Sequence, residues 1–141
     1  MSKVFWDTMM FIYLLDGHPK FEPEVRKKLE RSYDRGDVLL TSYLALGEVM
    51  AGAAGDMTRA EKARTKIVEM GFSFLPFDGS CAATFAKLRS GTKLKAPDAI
   101  HLACAAAAGV DMYLTGDAQL LNRNLHVSGI QFIADFTLPV L

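Results

Sequence analysis

The sequence predicts an α/β fold in three layers, with a mostly parallel central sheet covered by helices on both faces. Three observations carry that expectation. Short apolar runs of strand length alternate with longer segments of helical periodicity. The breaks between them fall at glycines, prolines and small polar residues. Repeated strand–helix units in turn place consecutive strands parallel and lay helices over both sheet faces.

Taken in order, Lys3–Trp6 reads as a short buried strand and Thr8–Leu15 as a helix stopped by Gly17 and Pro19. Pro23 opens a second helix on which Val25, Leu29 and Tyr33 recur at helical spacing, ending near Gly36. Val38–Thr41 is the next strand. Ser42 then N-caps a helix through Leu44, Val49 and Ala51. Asp56–Met70 is a charged amphipathic helix closed by Gly71, a residue suited to left-handed backbone past a helix end. Phe72–Leu75 is a strand ended by Pro76, and Asp78 or Ser80 caps a helix through Leu88. Pro97 fits the first turn of a helix through Ala108, which Gly109 ends. Asp111–Thr115 reads as a strand, Asp117–Leu121 as a short helix and Val127–Ile133 as a last strand.

The 141 residues show no linker, repeat or low-complexity run, so 1–141 reads as one domain. Half the residues are hydrophobic, which suffices for a sizeable core. Lys+Arg and Asp+Glu both number 16, and this balance argues against a strongly basic, tail-type nucleic-acid binder. It leaves room for an enzyme with a local basic rim. The two cysteines, Cys81 and Cys104, make neither a disulfide framework nor a metal cluster and read as free buried thiols. Met1-Ser2-Lys3 runs directly into an apolar strand, so no signal peptide is expected. The most apolar long window, Ala96 to Val110, is too short to span a bilayer. The expectation is a cytoplasmic protein without membrane association.

In open parallel sheets, ligands gather at the carboxyl ends of the strands. Asp7 directly follows the first strand and Asp117 follows the fourth by two residues, so both belong to that edge. Asp37 and Asp111 precede their strands and belong to the opposite edge. Asp78 reads as a turn and cap residue. Glu48 is the sole charge in Tyr43–Ala51, where a carboxylate is costly unless paired or bound to a cation. Asp98 follows Pro97 in the first turn of its helix. Four acids gathered together repel one another. A hard divalent cation, Mg²⁺ or Mn²⁺, compensates that repulsion and holds phosphate oxygens during phosphodiester cleavage. No histidine or cysteine cluster offers a soft-metal alternative.

At these residues the sequence resembles the PIN-domain family, and above all the VapC-type toxins of toxin–antitoxin pairs. Phe5-Trp6-Asp7-Thr8 followed by Phe11–Leu15 is similar to the family's opening strand and helix. Thr41–Leu44 through Glu48 is similar to its second acidic motif. Pro97-Asp98-Ala99-Ile100-His101-Leu102-Ala103 is the most specific match, and Thr115-Gly116-Asp117 is similar to the fourth motif. The matches run in family order from Phe5 to Asp117. The resemblance implies an α/β/α PIN-like domain acting as an endoribonuclease that cleaves RNA phosphodiesters by metal-activated water. It also implies a homodimer and a cognate antitoxin that blocks the site. By resemblance Asp7, Glu48, Asp98 and Asp117 are the metal-binding, catalytic residues, with Thr8 and Thr115 as secondary hydrogen-bonding residues. The chain departs from the family pattern at Met9, where an amide is common, and at Ala118 and Gln119, where many members carry a further acid. Fewer acidic oxygens imply one firmly held metal and a second bound with substrate.

His101 lies three residues after Asp98, on nearly the same helix face, and reads as a packing or supporting residue. The run Lys87–Lys95 is basic and leads to Asp98, so Lys93 and Lys95 are expected to contact RNA phosphates, against the alternative of a solvated loop. The rival to an enzyme is a regulatory binding module, either a degenerate PIN fold or a receiver-like domain. A receiver should show an acidic pair after its first strand and a lysine after its last, and neither pattern is present.

Overall fold

A computed structural model of the chain describes residues 1–139. The elements run β1 (Lys3–Trp6), α1 (Thr8–Leu15), α2 (Glu22–Arg35), β2 (Val38–Ser42), α3 (Tyr43–Ala51) and α4 (Met57–Glu69). They continue with β3 (Phe72–Leu75), α5 (Gly79–Thr92), α6 (Ala96–Ala107), β4 (Met112–Thr115), α7 (Ala118–Leu121) and β5 (Phe132–Asp135). The strands form one sheet in the order β3-β2-β1-β4-β5, and every pairing is parallel. The expected three-layer α/β/α architecture is therefore observed. The chain winds outward in both directions from β1, so the order reverses between β1 and β4. That reversal is the switch point at which open α/β sheets form a crevice.

Side-chain alternation on the strands feeds two separate cores. Val4, Trp6, Leu39, Phe72, Met112 and Leu114 pack against α1 to α4, with Phe11, Val25, Leu46 and Ile67. Phe5, Leu40 and Tyr113 point the other way, into Leu88, Ala99, Leu102 and Leu120 of α5, α6 and α7. The middle strand β1 is buried on both sides after its first residue, as a parallel strand covered by two helix layers must be.

Most caps fall where the sequence places them. Ser42 accepts the Ala45 N–H at 2.9 Å and Asp78, not Ser80, caps α5. Two expectations are corrected. Helix α5 continues past Leu88 to Thr92, because Ser90 and Thr92 bond the Ala86 and Leu88 carbonyls and stay compatible with helix around Gly91. The basic run is therefore helix as far as Thr92, and only Lys93–Lys95 links α5 to α6. The last strand is Phe132–Asp135, not Val127–Ile133. Val127 and Ile130 are apolar because they pack in a turn closed by Ile130 N–H to the Val127 carbonyl at 3.0 Å. Gly129 makes that turn possible: its φ is +99°, and a Cβ there would stand 2.4 Å from the Ala106 carbonyl oxygen.

Candidate functional site

Beyond the carboxyl ends of β1 and β4 lies an open cleft of about 550 Å³, lined by Asp7, Thr8, Glu48, Asp98, His101 and Asp117. The four acids singled out in the sequence thus share one cleft. They reach it from four elements, and local chemistry explains each placement. Asp7 ends β1 and N-caps α1, accepting the Thr8 N–H at 2.7 Å on Oδ1. Asp117 N-caps α7 by accepting the Gln119 N–H at 2.9 Å. Asp98 stands in the first turn of α6, just after Pro97, where the helix dipole favours a negative charge. Glu48 extends from the middle of α3 and is partly exposed to the cleft.

Threonines tie the acids together. Thr115 Oγ1 donates to Asp7 Oδ2 at 2.7 Å and accepts the Asp117 N–H at 3.1 Å. Thr8 Oγ1 donates to Glu48 Oε1 at 2.7 Å. Both threonines are buried, at 0% and 8% exposure, so these bonds are shielded from competing water. The turn Thr115-Gly116-Asp117 is pressed against Phe136; a Cβ on residue 116 would lie 2.7 Å from the Phe136 ring. Any larger residue would force Phe136 or the turn that brings Asp117 to the cleft to shift.

Two groups sense the combined charge. Burial first, then the charges of Asp7 and Asp117, push the Asp98 carboxyl above its ordinary range, while His101 and Lys95 oppose them. The Asp98 carboxylate accepts no hydrogen bond among the described residues, whereas Asp7 and Glu48 accept side-chain bonds and Asp117 accepts backbone N–H bonds. Tyr113, on β4, is fully buried, and its hydroxyl has no partner among the described residues. Burial, and then all four acids (Asp7, Asp98, Glu48 and Asp117), push that hydroxyl well above its usual range. Tyr113 thus lies within electrostatic reach of all four acids.

The oxygen-only donor set suits a hard divalent cation. Among the described residues, no three His, Cys, Asp or Glu side chains stand close enough to hold an ion as a cage. That arrangement is compatible with Mg²⁺, which keeps several waters and takes one or two carboxylates rather than a full protein shell. It does not suit a dehydrated, fully protein-bound metal. Lys93 and Lys95 are exposed on the α5–α6 link, and the Lys95 charge acts on Asp98. The link is held by Arg89, which bonds the Leu94 carbonyl, and by Arg123, which bonds the Thr92 carbonyl. Sequence reasoning missed Ser42 and Tyr113. Ser42 carries a cap signal, which conceals its second partner, and a tyrosine in an apolar strand looks like any core residue.

The sequence matches the PIN domain family over residues 4–124. The chain belongs to the PIN-domain family. The fold of this PIN domain is also found in VapBC2 from Rickettsia felis bound to a promoter DNA fragment, with a TM-score of 0.73 and 14% identity, covering 94% of this chain and 98% of that one. VapBC-1 from nontypeable Haemophilus influenzae is similar at a TM-score of 0.72 and 17% identity, covering 96% of this chain and 99% of that one. A toxin–antitoxin complex from Klebsiella pneumoniae is similar at a TM-score of 0.64 and 24% identity, covering 90% and 94%. No curated protein sequence matches this PIN domain significantly. Among the described residues, no helix is long and apolar enough to cross a membrane.

Proposed function

We propose that this PIN domain is a Mg²⁺- or Mn²⁺-dependent endoribonuclease and the toxin half of a toxin–antitoxin pair, acting in the cytoplasm. The observation that carries the reading is the meeting of Asp7, Glu48, Asp98 and Asp117 in one cleft at the switch point of the sheet. Like charges so placed are unfavourable without a counter-charge, and a divalent cation supplies one that can also hold the anionic phosphodiester.

Asp7, Glu48, Asp98 and Asp117 would hold the cation in part through its waters, since no three of them close a cage, with Asp98 offering a carboxylate that accepts no hydrogen bond among the described residues. When bound, such a cation supplies charge at a phosphate oxygen and lowers the pKa of an attacking water. The chain's own residues do the rest. Thr8 and Thr115 hold Glu48 and Asp7 at fixed angles, so the site is organised before substrate arrives. Lys93 and Lys95, on the link that leads into Asp98, would bind the phosphates of a single strand, placing the scissile bond over the acids. The neighbours determined as toxin–antitoxin complexes support a cognate antitoxin as partner. A homodimer follows from the same family expectation.

Purified protein incubated with a mixed RNA pool tests the reading. Cleavage in Mg²⁺ that stops with a chelator supports it. Intact RNA with Mg²⁺ and with Mn²⁺ would remove it.

A further inference from the structure

One group in the cleft has no role in this scheme. His101 is 2% exposed, on α6, and its two ring nitrogens are both engaged. Nδ1 lies 2.7 Å from Ser42 Oγ, and Nε2 lies 2.8 Å from Glu48 Oε1. Thr8 Oγ1 stands 3.4 Å from the same Nε2 while donating to the same Glu48 oxygen. A buried imidazole needs partners for its nitrogens, and here one of them is a cleft acid.

The protons can be assigned from these partners. An ionised Glu48 only accepts, so Nε2 must carry a proton. Ser42 Oγ accepts the Ala45 N–H at 2.9 Å, and among the described residues the acceptor within reach of its own proton is His101 Nδ1. The hydroxyl therefore donates to Nδ1, and the ring is the Nε2–H tautomer. Every bond in the chain then points one way: Ala45 N–H to Ser42, Ser42 O–H to His101, His101 Nε2–H to Glu48. The N-cap of α3 thus fixes the tautomer of a histidine on α6, which in turn grips a glutamate back on α3.

We infer that His101 is a positioning residue for Glu48: with Thr8 it saturates Oε1 and fixes the carboxylate so that Oε2, which receives neither bond, is presented to a cation. Ser42 acts one step further out, by fixing the His101 tautomer. The inference rests on the reading of Glu48 as a cation ligand. Groups that orient a metal-binding side chain typically matter at the level of affinity, with losses of roughly 10–100-fold on removal.

The test measures Mn²⁺ dissociation constants by calorimetry, with thermal unfolding alongside, for wild type, His101→Gln, His101→Asn and His101→Leu. A Gln amide N–H can reach where Nε2 stands, whereas Asn reaches only toward Ser42 and Leu fills the space without a donor. Gln should bind Mn²⁺ within a few-fold of wild type, and Asn and Leu should weaken it by roughly 10–100-fold. Should Leu fail to fold, the Gln–Asn pair still decides, since both are polar and smaller than the ring. If Asn binds as tightly as wild type, or Gln binds as weakly as Asn, the positioning role is wrong while the cation site stands. If wild type binds no Mn²⁺, the cation reading falls and takes this inference with it.

Discussion

Thr115 Oγ1 donates to Asp7 Oδ2 at 2.7 Å, and the same oxygen accepts the Asp117 N–H at 3.1 Å, so one buried hydroxyl sets the spacing of two acids more than 100 residues apart in sequence. Thr115→Val keeps the shape and removes both bonds. The Asp117 N–H then loses its acceptor, and leaving such a group unsatisfied costs about 1–3 kcal/mol. The melting temperature should drop by several degrees, and Mn²⁺ affinity should fall with it. An unchanged melting temperature in calorimetry would show that water replaces Thr115 without loss.

Asp98 sets a pH dependence whose sign follows from its raised carboxyl pKa, due first to burial and then to Asp7 and Asp117. A carboxyl that holds its proton more tightly folded than unfolded makes the folded state bind more protons over the window between the two pKa values. Stability of the metal-free protein therefore falls as pH rises through that window, and the penalty persists above it. Asp98→Asn removes the titrating group. The variant should be more stable than wild type at neutral pH without metal, and the difference should vanish as pH drops below the ordinary Asp range. Urea melts at neutral and acid pH measure this; equal stability at neutral pH would contradict it.

Much of the site was legible from local signals. Asp7 and Asp117 stand out because each follows an apolar strand, and Glu48 because it is the one charge in an apolar helix. What escaped notice was non-local. Ser42 satisfies an N-cap and equally a histidine 59 residues away, and only the first is visible along the chain. Val127 and Ile130 lie in an apolar stretch leading to Phe132 and Ile133 but owe their burial to the turn at Gly129, where a positive φ and the nearby Ala106 backbone leave no room for a side chain. Gly91 looks like a helix breaker, yet side-chain bonds from Ser90 and Thr92 accompany the extra turn of α5.

The Phe136 ring beneath Gly116 makes a steric prediction. Gly116→Ala places a methyl 2.7 Å from a ring atom, so Phe136 or the turn must move. Overpacking of this kind costs about 1–3 kcal/mol. Because the turn carries Asp117, nuclease activity should fall more than stability does. Full activity in a variant with a lowered melting temperature would show that Asp117 tolerates displacement.

Lys93 and Lys95 should matter through charge. Changing both to Gln should weaken binding to single-stranded RNA and flatten its dependence on salt, by roughly 0.7 in log–log slope for each phosphate that the variant no longer neutralises. Filter binding over a range of NaCl reads this, and an unaltered slope would return both residues to the solvated surface.

The central claim is that Asp7, Glu48, Asp98 and Asp117 act as one cation site. Thermal unfolding of wild type and Asp98→Asn with increasing Mn²⁺, against NaCl at matched ionic strength, tests it without any substrate. A cation that binds only the folded cluster stabilises wild type by about 2.7 kcal/mol at 100 times its Kd. For a chain of this size, each kcal/mol is a few degrees in melting temperature. Wild type should therefore rise by several degrees in Mn²⁺ and little in NaCl, while Asp98→Asn starts higher and responds weakly. Equal Mn²⁺ responses in the two proteins, or a wild-type response that NaCl reproduces, would contradict the claim.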